Sequence, residues 1–360
     1  MFNPARLALA RRRRGVTKKA LADAAHLSVK SVSDYENARA VPSEATVVEI
    51  ARALRFPPEF FSAADLESPS TENASFRALS SMTASQRDAA LGAGTLAIAV
   101  SGWIEERFDL PQPNVPTYRG LEPEVAAASV RSAWGLGVAP IRNMIHQLEA
   151  AGVRVFSLAE QCRQVNAFSL WWRSTTPFVF LNTMKSAESS RFDSAHELGH
   201  LVMHKRGTHG GRDAELEADA FASAFLMPRE SVLAAAPRLA SLNALISLKS
   251  QWNVSVAALN RRLHDVGALS DWHYRSLCIE IATNGYRSCE PKGIEPEMSQ
   301  ILEKVLQSLR SDSIGTADIA RDLHLHPPDV DELLFGLATV PVAGGGKKTA
   351  KRSRDHLRLV

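Results

Sequence analysis

The chain is poor in cysteine and contains no long apolar run. Cys162, Cys278 and Cys289 are odd in number and lack any paired spacing, which argues against a disulfide framework and fits a reducing cytoplasm. Cys162 lies ahead of a histidine-rich stretch and is expected to be an inert buried thiol rather than a redox switch. The longest apolar candidate, Ala89 to Trp103, is broken by Gly92, Gly94, Ser101 and Gly102, so no segment reaches the roughly 18 residues of a membrane-spanning helix. Met1 to Ala10 has no apolar signal core and runs directly into Arg11-Arg12-Arg13-Arg14. A soluble, cytoplasmic protein with no membrane partner is expected.

At 360 residues the chain has room for two or three domains with real cores. Its net charge of +3 conceals an asymmetry. Residues 1 to 60 carry eleven Lys/Arg against six Asp/Glu, and residues 344 to 360 carry six against one, so each end is +5 and the segment 61 to 343 is −7. Basic ends on an acidic body point to a polyanion contacted from the ends, with nucleic acid the expected partner.

One run specifies chemistry by residue type and spacing together: Ser190-Arg191-Phe192-Asp193-Ser194-Ala195-His196-Glu197-Leu198-Gly199-His200-Leu201. On a helix, residues i and i+4 share a face, so His196 and His200 can aim their imidazoles at one zinc ion. Glu197 is turned about 100° around the helix, placed to act as general base on a water at the open position of the metal. A Gly-rich connector, Gly207 to Gly211, leads to a second helix, Asp213 to Leu226, that ends before Pro228. Glu215 and Asp219 repeat the i, i+4 spacing, so one carboxylate can complete a His2Glu tripod while the other holds a ligand imidazole by its distal N–H. Glu217, two residues on, faces elsewhere; Glu215 is taken as the ligand and Asp219 as the supporting carboxylate. His204 extends the stripe, but residues eight apart on a helix lie about 12 Å apart, against zinc–nitrogen bonds of about 2 Å. It is expected to pack at the helix end, favoured by the helix dipole, and His209 to be a loop histidine.

The N-terminal segment has helix-turn-helix organisation. Pro4 to Arg14 reads as one helix, Thr17 caps Lys18 to Ala25, His26-Leu27 makes the turn, Ser28 caps Val29 to Tyr35, and Ser43 caps Glu44 to Leu54. Leu21, Leu27, Val32 and Ile50 supply its core, and Phe56 to Phe61 closes it. The polar, Ser-rich stretch from Ser62 to Ser75 reads as a linker. Helices over Ala84 to Phe108, Glu122 to Trp134 and Ile141 to Ala151 follow, with a Pro-rich hinge at Pro111 to Pro116 and with His146 and Glu149 on a polar face. From Val153 the period changes to two. Val153 to Leu158, Ala167 to Trp172 and Pro177 to Asn182 read as strands, and an edge strand beside the zinc helix can take an extended peptide by β-augmentation. Trp171 and Trp172 divide between that cleft and the core. Leu242 to Leu263 and Asp271 to Ile281 read as helices with Trp252, Trp272 and Tyr274 as core aromatics. Ser313 to Leu337 reads as a second, shorter helix-turn-helix with His324 and His326 solvated in its turn, before a disordered basic tail.

Two resemblances add to this reading. Arg6 to Phe61 resembles the DNA-binding domain of phage repressors of the Cro/cI type, the XRE family, through Thr17-Lys18-Lys19-Ala20-Leu21-Ala22, Leu27-Ser28-Val29, Ser33-Asp34-Tyr35-Glu36-Asn37-Ala38-Arg39 and Val41-Pro42-Ser43. That likeness implies that Val29, Lys30, Ser33 and Asp34 face base edges, and that Lys18, Lys19, Asn37 and Arg39 face phosphate. The family often has Gln where this chain has Lys18 and Gly where it has Ala38. Residues 153 to 228 resemble the ImmA/IrrE family of zinc metallopeptidases through Gly152-Val153-Arg154-Val155, Ala167-Phe168-Ser169, Arg191 to His200 and Glu215 to Pro228. Asn166 stands where many relatives have an acidic residue. In that family the peptidase cleaves or relieves a repressor whose DNA-binding domain is of the kind found at residues 6 to 61.

The expected fold is α+β, mainly α. A five-helix helix-turn-helix domain occupies 1–61, a linker 62–82, a helical connector 83–151, a zincin-like metallopeptidase core with a small sheet 152–230, a helical C-terminal domain 231–343, and a basic tail 344–360. The expected function is a cytoplasmic regulator that holds a double-stranded DNA operator as a homodimer. His196, His200 and Glu215 bind Zn2+, and Glu197 serves the hydrolysis of a protein regulator, a repressor or this chain itself. The exposed Ser62 to Ser75 linker is the expected self-cleavage site. The alternative is a non-catalytic regulator whose zincin-like domain senses a ligand or partner.

Overall fold

The computed structural model describes residues 1–69, 83–158, 167–204 and 211–339. Cys162, Asn166, His209, residues 70–75 of the expected linker and the basic tail lie outside the described residues.

Polar caps cut the N-terminal region into short helices. The Asn3 side chain accepts from the amides of Ala5 and Arg6 to start α1 (Pro4–Arg13), which has proline in its first turn. Thr17, Ser28 and Ser43 cap α2 (Lys18–Ala24), α3 (Val29–Glu36) and α4 (Glu44–Leu54), each hydroxyl accepting the amide three residues on. Leu21, Val32 and Ile50 are fully buried and Leu27 partly so. The expected fifth helix is a 3-10 turn, Pro58–Ser62, that buries Phe60 and Phe61. The start of the expected linker is held down: Arg6 Nε donates to the Ala64 carbonyl at 2.8 Å, and Asn3 Nδ2 to that of Ala63 at 2.9 Å.

A Thr83/Gln86 capping box opens α5 (Ala84–Glu105). At Gly92 a Cβ would come within 2.9 Å of Arg13 Cα, so α1 and α5 cross almost in backbone contact. Next come α6 (Pro123–Ala133) and α7 (Met144–Ala150). The Pro-rich segment expected as a hinge is a fixed strap. The Asn114 amide donates to the Ala151 carbonyl at 2.8 Å. Gly152, at φ +75°, lets the strap pass where a Cβ would lie 2.4 Å from Gln112 O. Prolines here satisfy extended backbone against a neighbour rather than loosening it.

β1 (Arg154–Ser157), β2 (Ala167–Trp172) and β3 (Thr176–Leu181) form one sheet in the order β1-β3-β2, with β1 parallel and β2 antiparallel to β3. Alternation gives it two unlike faces. Phe168 stacks on Phe180 on one face, with Gly94 of α5 against both rings. From the other face, Ser169 and Trp171 bond to the backbone of α8 (Ala187–Met203). α8 lies along α9 (Arg212–Leu226), which in turn packs on α6.

The C-terminal region comprises α10 (Arg229–Ala235), α11 (Leu242–Leu248), α12 (Val256–Asp265), α13 (Asp271–Thr283), α14 (Gln300–Ser311), α15 (Thr316–Asp322) and α16 (Pro327–Leu334). Three expectations fail here. The helix expected over Leu242 to Leu263 breaks at a 3-10 turn, Lys249–Gln251, followed by Asn253 at φ +56°. The break turns Lys249 inward to buried Glu188 and half-buried Glu290, each 3.3 Å away. Trp272, expected in the core, is 72 % exposed at the start of α13, whereas Trp252 is fully buried. Glu149, expected on a polar face, is buried because its carboxylate accepts from Ser299 Oγ and from the amides of Gln300 and Ile301, capping α14. No helix among the described residues is long and apolar enough to cross a membrane.

The N-terminal helices dock on this body through α1. Arg13, with no solvent exposure, reaches Glu332 at 2.9 Å, and Arg14 reaches Asp329 at 2.8 Å, both on α16.

Candidate metal centre

The cluster begins with two helices that approach closely. Ser186 caps α8, and the helix lies on the inner face of the sheet with Ala195, Leu198 and Val202 buried. Gly199 faces α9: a Cβ there would sit 3.1 Å from Phe221 Cδ1 and 3.3 Å from Ala218 Cα. The missing side chain brings α9 near enough for Glu215, in its first turn, to reach across. His196 Nε2 and His200 Nε2 are 3.1 Å apart; Glu215 Oε2 lies 3.5 Å from the first and Oε1 3.3 Å from the second. These three residues offer ligand atoms all within 4.8 Å of one another.

Each histidine is also held from behind. His196 Nδ1 lies 2.8 Å from Asp219 Oδ1. His200 Nδ1 lies 3.0 Å from His204 Nδ1, and His204 Nε2 lies 2.8 Å from Glu217 Oε2. Glu197 is 2 % exposed and accepts a 2.7 Å hydrogen bond from Ser169 Oγ on β2 at its Oε2. Among the described residues β2 is an edge strand, pairing with β3 alone. Trp171 is buried with its indole N–H on the Leu201 carbonyl, while Trp172 is half-buried with Arg173 over its ring.

Electrostatics test whether the donor set suits a metal ion. Burial pulls the His196 pKa down, but hydrogen bonds to Asp219 and Glu215 and the charge of Glu197 override it and push it up to about 10. Burial pushes Glu215 up, yet hydrogen bonds from His196 and His200 hold it well below the usual carboxylate range. Two imidazole nitrogens 3.1 Å apart beside a carboxylate thus demand positive charge between them. The contact of buried Glu215 Oε1 with His200 Nε2, at 3.3 Å, falls short of a well-aligned hydrogen bond, a cost that an ion at this point would remove. Two neutral imidazoles and a carboxylate suit zinc, whose catalytic sites keep three protein ligands and one open position. Of the described residues the donor set fits.

The residues read as DNA contacts separate into two groups. Lys19, Val29, Lys30, Asn37 and Arg39 are exposed on α2, α3 and the turn that follows α3, with Val29 47 % exposed. Lys18 instead turns inward, 3.2 Å from Ser33 Oγ and 3.2 Å from Glu36, which Arg11 also holds. Ser33 accepts from Asn37 as well, at its carbonyl, and Asp34 is half-buried.

Ser169, His204 and Glu217 are the site neighbours that spacing arguments left without a role. Ser169 carried a faint signal, an isolated hydroxyl at an inward position of an apolar strand. Helix spacing keeps His204 and Glu217 away from the point where His196, His200 and Glu215 converge; His204 Nδ1 faces His200 Nδ1, and Glu217 Oε2 faces His204 Nε2.

Comparison with known families adds two matches. Residues 148–264 match the Peptidase M78 family, described as an IrrE N-terminal-like domain. Residues 5–61 match a helix-turn-helix domain family. The first match runs past Pro228 as far as α12. No curated protein matches the chain.

Proposed function

From a chain that carries a helix-turn-helix domain and an IrrE-like domain of a peptidase family, we propose a cytoplasmic regulator that holds operator DNA as a dimer and hydrolyses a protein regulator, a repressor or a copy of itself. The convergence of His196, His200 and Glu215 beside Glu197 is the observation that carries this reading.

His196 and His200 offer Nε2 and Glu215 a carboxylate oxygen to zinc, which supplies Lewis acidity toward a water and a peptide carbonyl. Glu197 takes the proton from the attacking water on its carboxylate and passes it to the departing amine nitrogen. Ser169, donating to Glu197 Oε2, fixes the direction from which that base acts. Asp219 accepts the His196 Nδ1 proton and keeps the lone pair of Nε2 turned inward. Among the described residues β2 is an edge strand, and its side away from β3 would offer main-chain groups to an extended peptide. On the DNA side, Lys19, Asn37 and Arg39 meet phosphates and the front of α3, from Val29 to Asp34, meets base edges. Lys18, already engaged with Glu36, contributes less.

The test measures zinc per chain and incubates the wild type and Glu197→Gln with candidate repressors, this chain included. One zinc per chain with cleavage lost in the variant supports the proposal. Zinc bound by both without cleavage favours a domain that senses a ligand or partner. Absence of zinc from both overturns the reading.

A further inference from the structure

The two ligand histidines are supported in different ways, and the difference assigns a task to two residues outside the tripod. We propose that His204 and Glu217 form a relay that positions His200: Glu217 holds His204, and His204 holds the far nitrogen of His200. The inference rests on the metal reading of the site given above.

Proton placement carries the argument. An imidazole that presents its Nε2 lone pair to a cation must carry its proton on Nδ1. For His196 that proton meets a carboxylate, Asp219 Oδ1, at 2.8 Å. For His200 the atom opposite Nδ1 is another ring nitrogen, His204 Nδ1, at 3.0 Å. Two ring nitrogens form a hydrogen bond only when one of them bears the proton. His200 therefore donates, His204 accepts at Nδ1, and the proton of His204 sits on Nε2. That Nε2 lies 2.8 Å from Glu217 Oε2, an acceptor. Every nitrogen along the line has one role, and both tautomers are fixed without a charge on either ring.

The fold builds this line deliberately at one place. His204 is the C-cap residue of α8, one turn beyond His200, with its amide on the His200 carbonyl at 2.9 Å. Its side chain is 11 % exposed, and that of Glu217 47 %. From α9, Glu215 reaches the two Nε2 atoms, Asp219 backs His196 and Glu217 backs the partner of His200. His204 is a positioning residue and not a fourth ligand, since both its nitrogens face other partners.

Metal affinity is the readout, measured on the full chain by competition with a chromophoric chelator for Zn2+ and by the visible spectrum of the Co2+-loaded protein. His204→Phe keeps a ring of similar size and breaks the line; affinity should fall about 10- to 100-fold with a changed Co2+ spectrum. Glu217→Leu, at a half-exposed position that the fold tolerates, should lose a similar factor. Glu217→Gln keeps an acceptor for His204 Nε2 and should recover most of it. Because the two residues act in series, His204→Phe/Glu217→Leu should be no weaker than His204→Phe alone. Wild-type affinity in both single variants would overturn the relay while leaving the metal site intact. Failure of the wild type itself to bind either ion would overturn the metal reading and the relay with it.

Discussion

The chain contains the same small motif twice, once near each end, and the two copies differ where it matters. In α2 and α3 the buried side is Leu21, Ala22, Leu27 and Val32; in α15 and α16 it is Ile319, Ala320, Leu325 and Val330, at matching spacings. Both turns place a histidine in the left-handed region, His26 at φ +54° and His324 at +56°. Both close with the same backbone bond, Leu27 N to Ala22 O at 2.8 Å and Leu325 N to Ala320 O at 2.7 Å. The second helices then diverge: α3 begins Val-Lys-Ser and α16 begins Pro-Pro-Asp. The first presents exposed Lys30 to solvent, while the second gives Asp329 and Glu332 to Arg14 and Arg13 of α1. Apolar spacing makes the helix pair, and surface charge selects its partner. Here the acidic copy grips the basic domain that contains the other.

Removing the grip should give the largest effect. Asp329 is 2 % exposed, so Asp329→Ala leaves Arg14 with a broken buried pair and should cost about 3–5 kcal/mol in urea unfolding. Ser31→Ala, the corresponding position of α3, should stay within about 0.5 kcal/mol. Equal losses at the two positions would break the comparison.

Glu149 of α7 holds the start of α14, the helix before the acidic copy, and that tie should depend on pH. Burial raises the Glu149 carboxyl from its ordinary 4.5 to about 7, against the opposing hydrogen bonds of Ser299, Ile301 and Gln300. The folded state thus favours the protonated form. This contribution is full below about pH 4.5 and is lost as pH rises through 7, a difference on the order of 3 kcal/mol. Urea unfolding at pH 5 and pH 8 should show it, and Glu149→Gln should flatten it.

On the N-terminal copy, Lys19→Ala and Arg39→Ala should each lower the salt-dependence slope of DNA binding by about 1. Lys18→Ala should lower it less, because Glu36 already neutralises that ammonium. A fluorescence titration at several salt concentrations decides between them. The smallest effect concerns the turns themselves. His26→Gly and His324→Gly each relieve a left-handed residue while loosening the unfolded chain, so both should fall within about 1 kcal/mol of wild type and share a sign. Opposite signs would mean that the turns are alike only in outline.

Much of this was legible in the sequence because it rests on local rules. Thr17, Ser28 and Ser43 announce helix starts by hydroxyl capping, and the spacing of His196 and His200 states a shared face without help from the rest of the fold. What stayed hidden depends on long-range partners. Glu149 looks solvated until Ser299, 150 residues later, supplies its hydrogen bond. Trp272 looks like core until α13 is seen to bury Leu277 and Ile281 instead. The apolar pattern over 242 to 263 has no proline to warn of a break; a buried Lys249 seeking two carboxylates makes it. For His204, the spacing argument considered only a shared ion, while side-chain reach to His200, one turn away, is what the structure shows.

Gly199 occupies one of the two unspecified positions of the His-Glu-x-x-His pattern, where a reader of motifs expects freedom. Its place against Phe221 and Ala218 removes that freedom. The residue works as a gauge block: with nothing on its Cα, α8 and α9 are clamped at a fixed gap, and that gap sets the aperture between two histidines on one helix and a glutamate on the other. A methyl group there would open the jaws by a few tenths of an ångström, a small error for a hydrophobic core and a large one for three side chains whose donor atoms converge on one point. Tolerance to substitution in such a motif is therefore decided by the neighbouring helix and not by the chemistry of the motif itself.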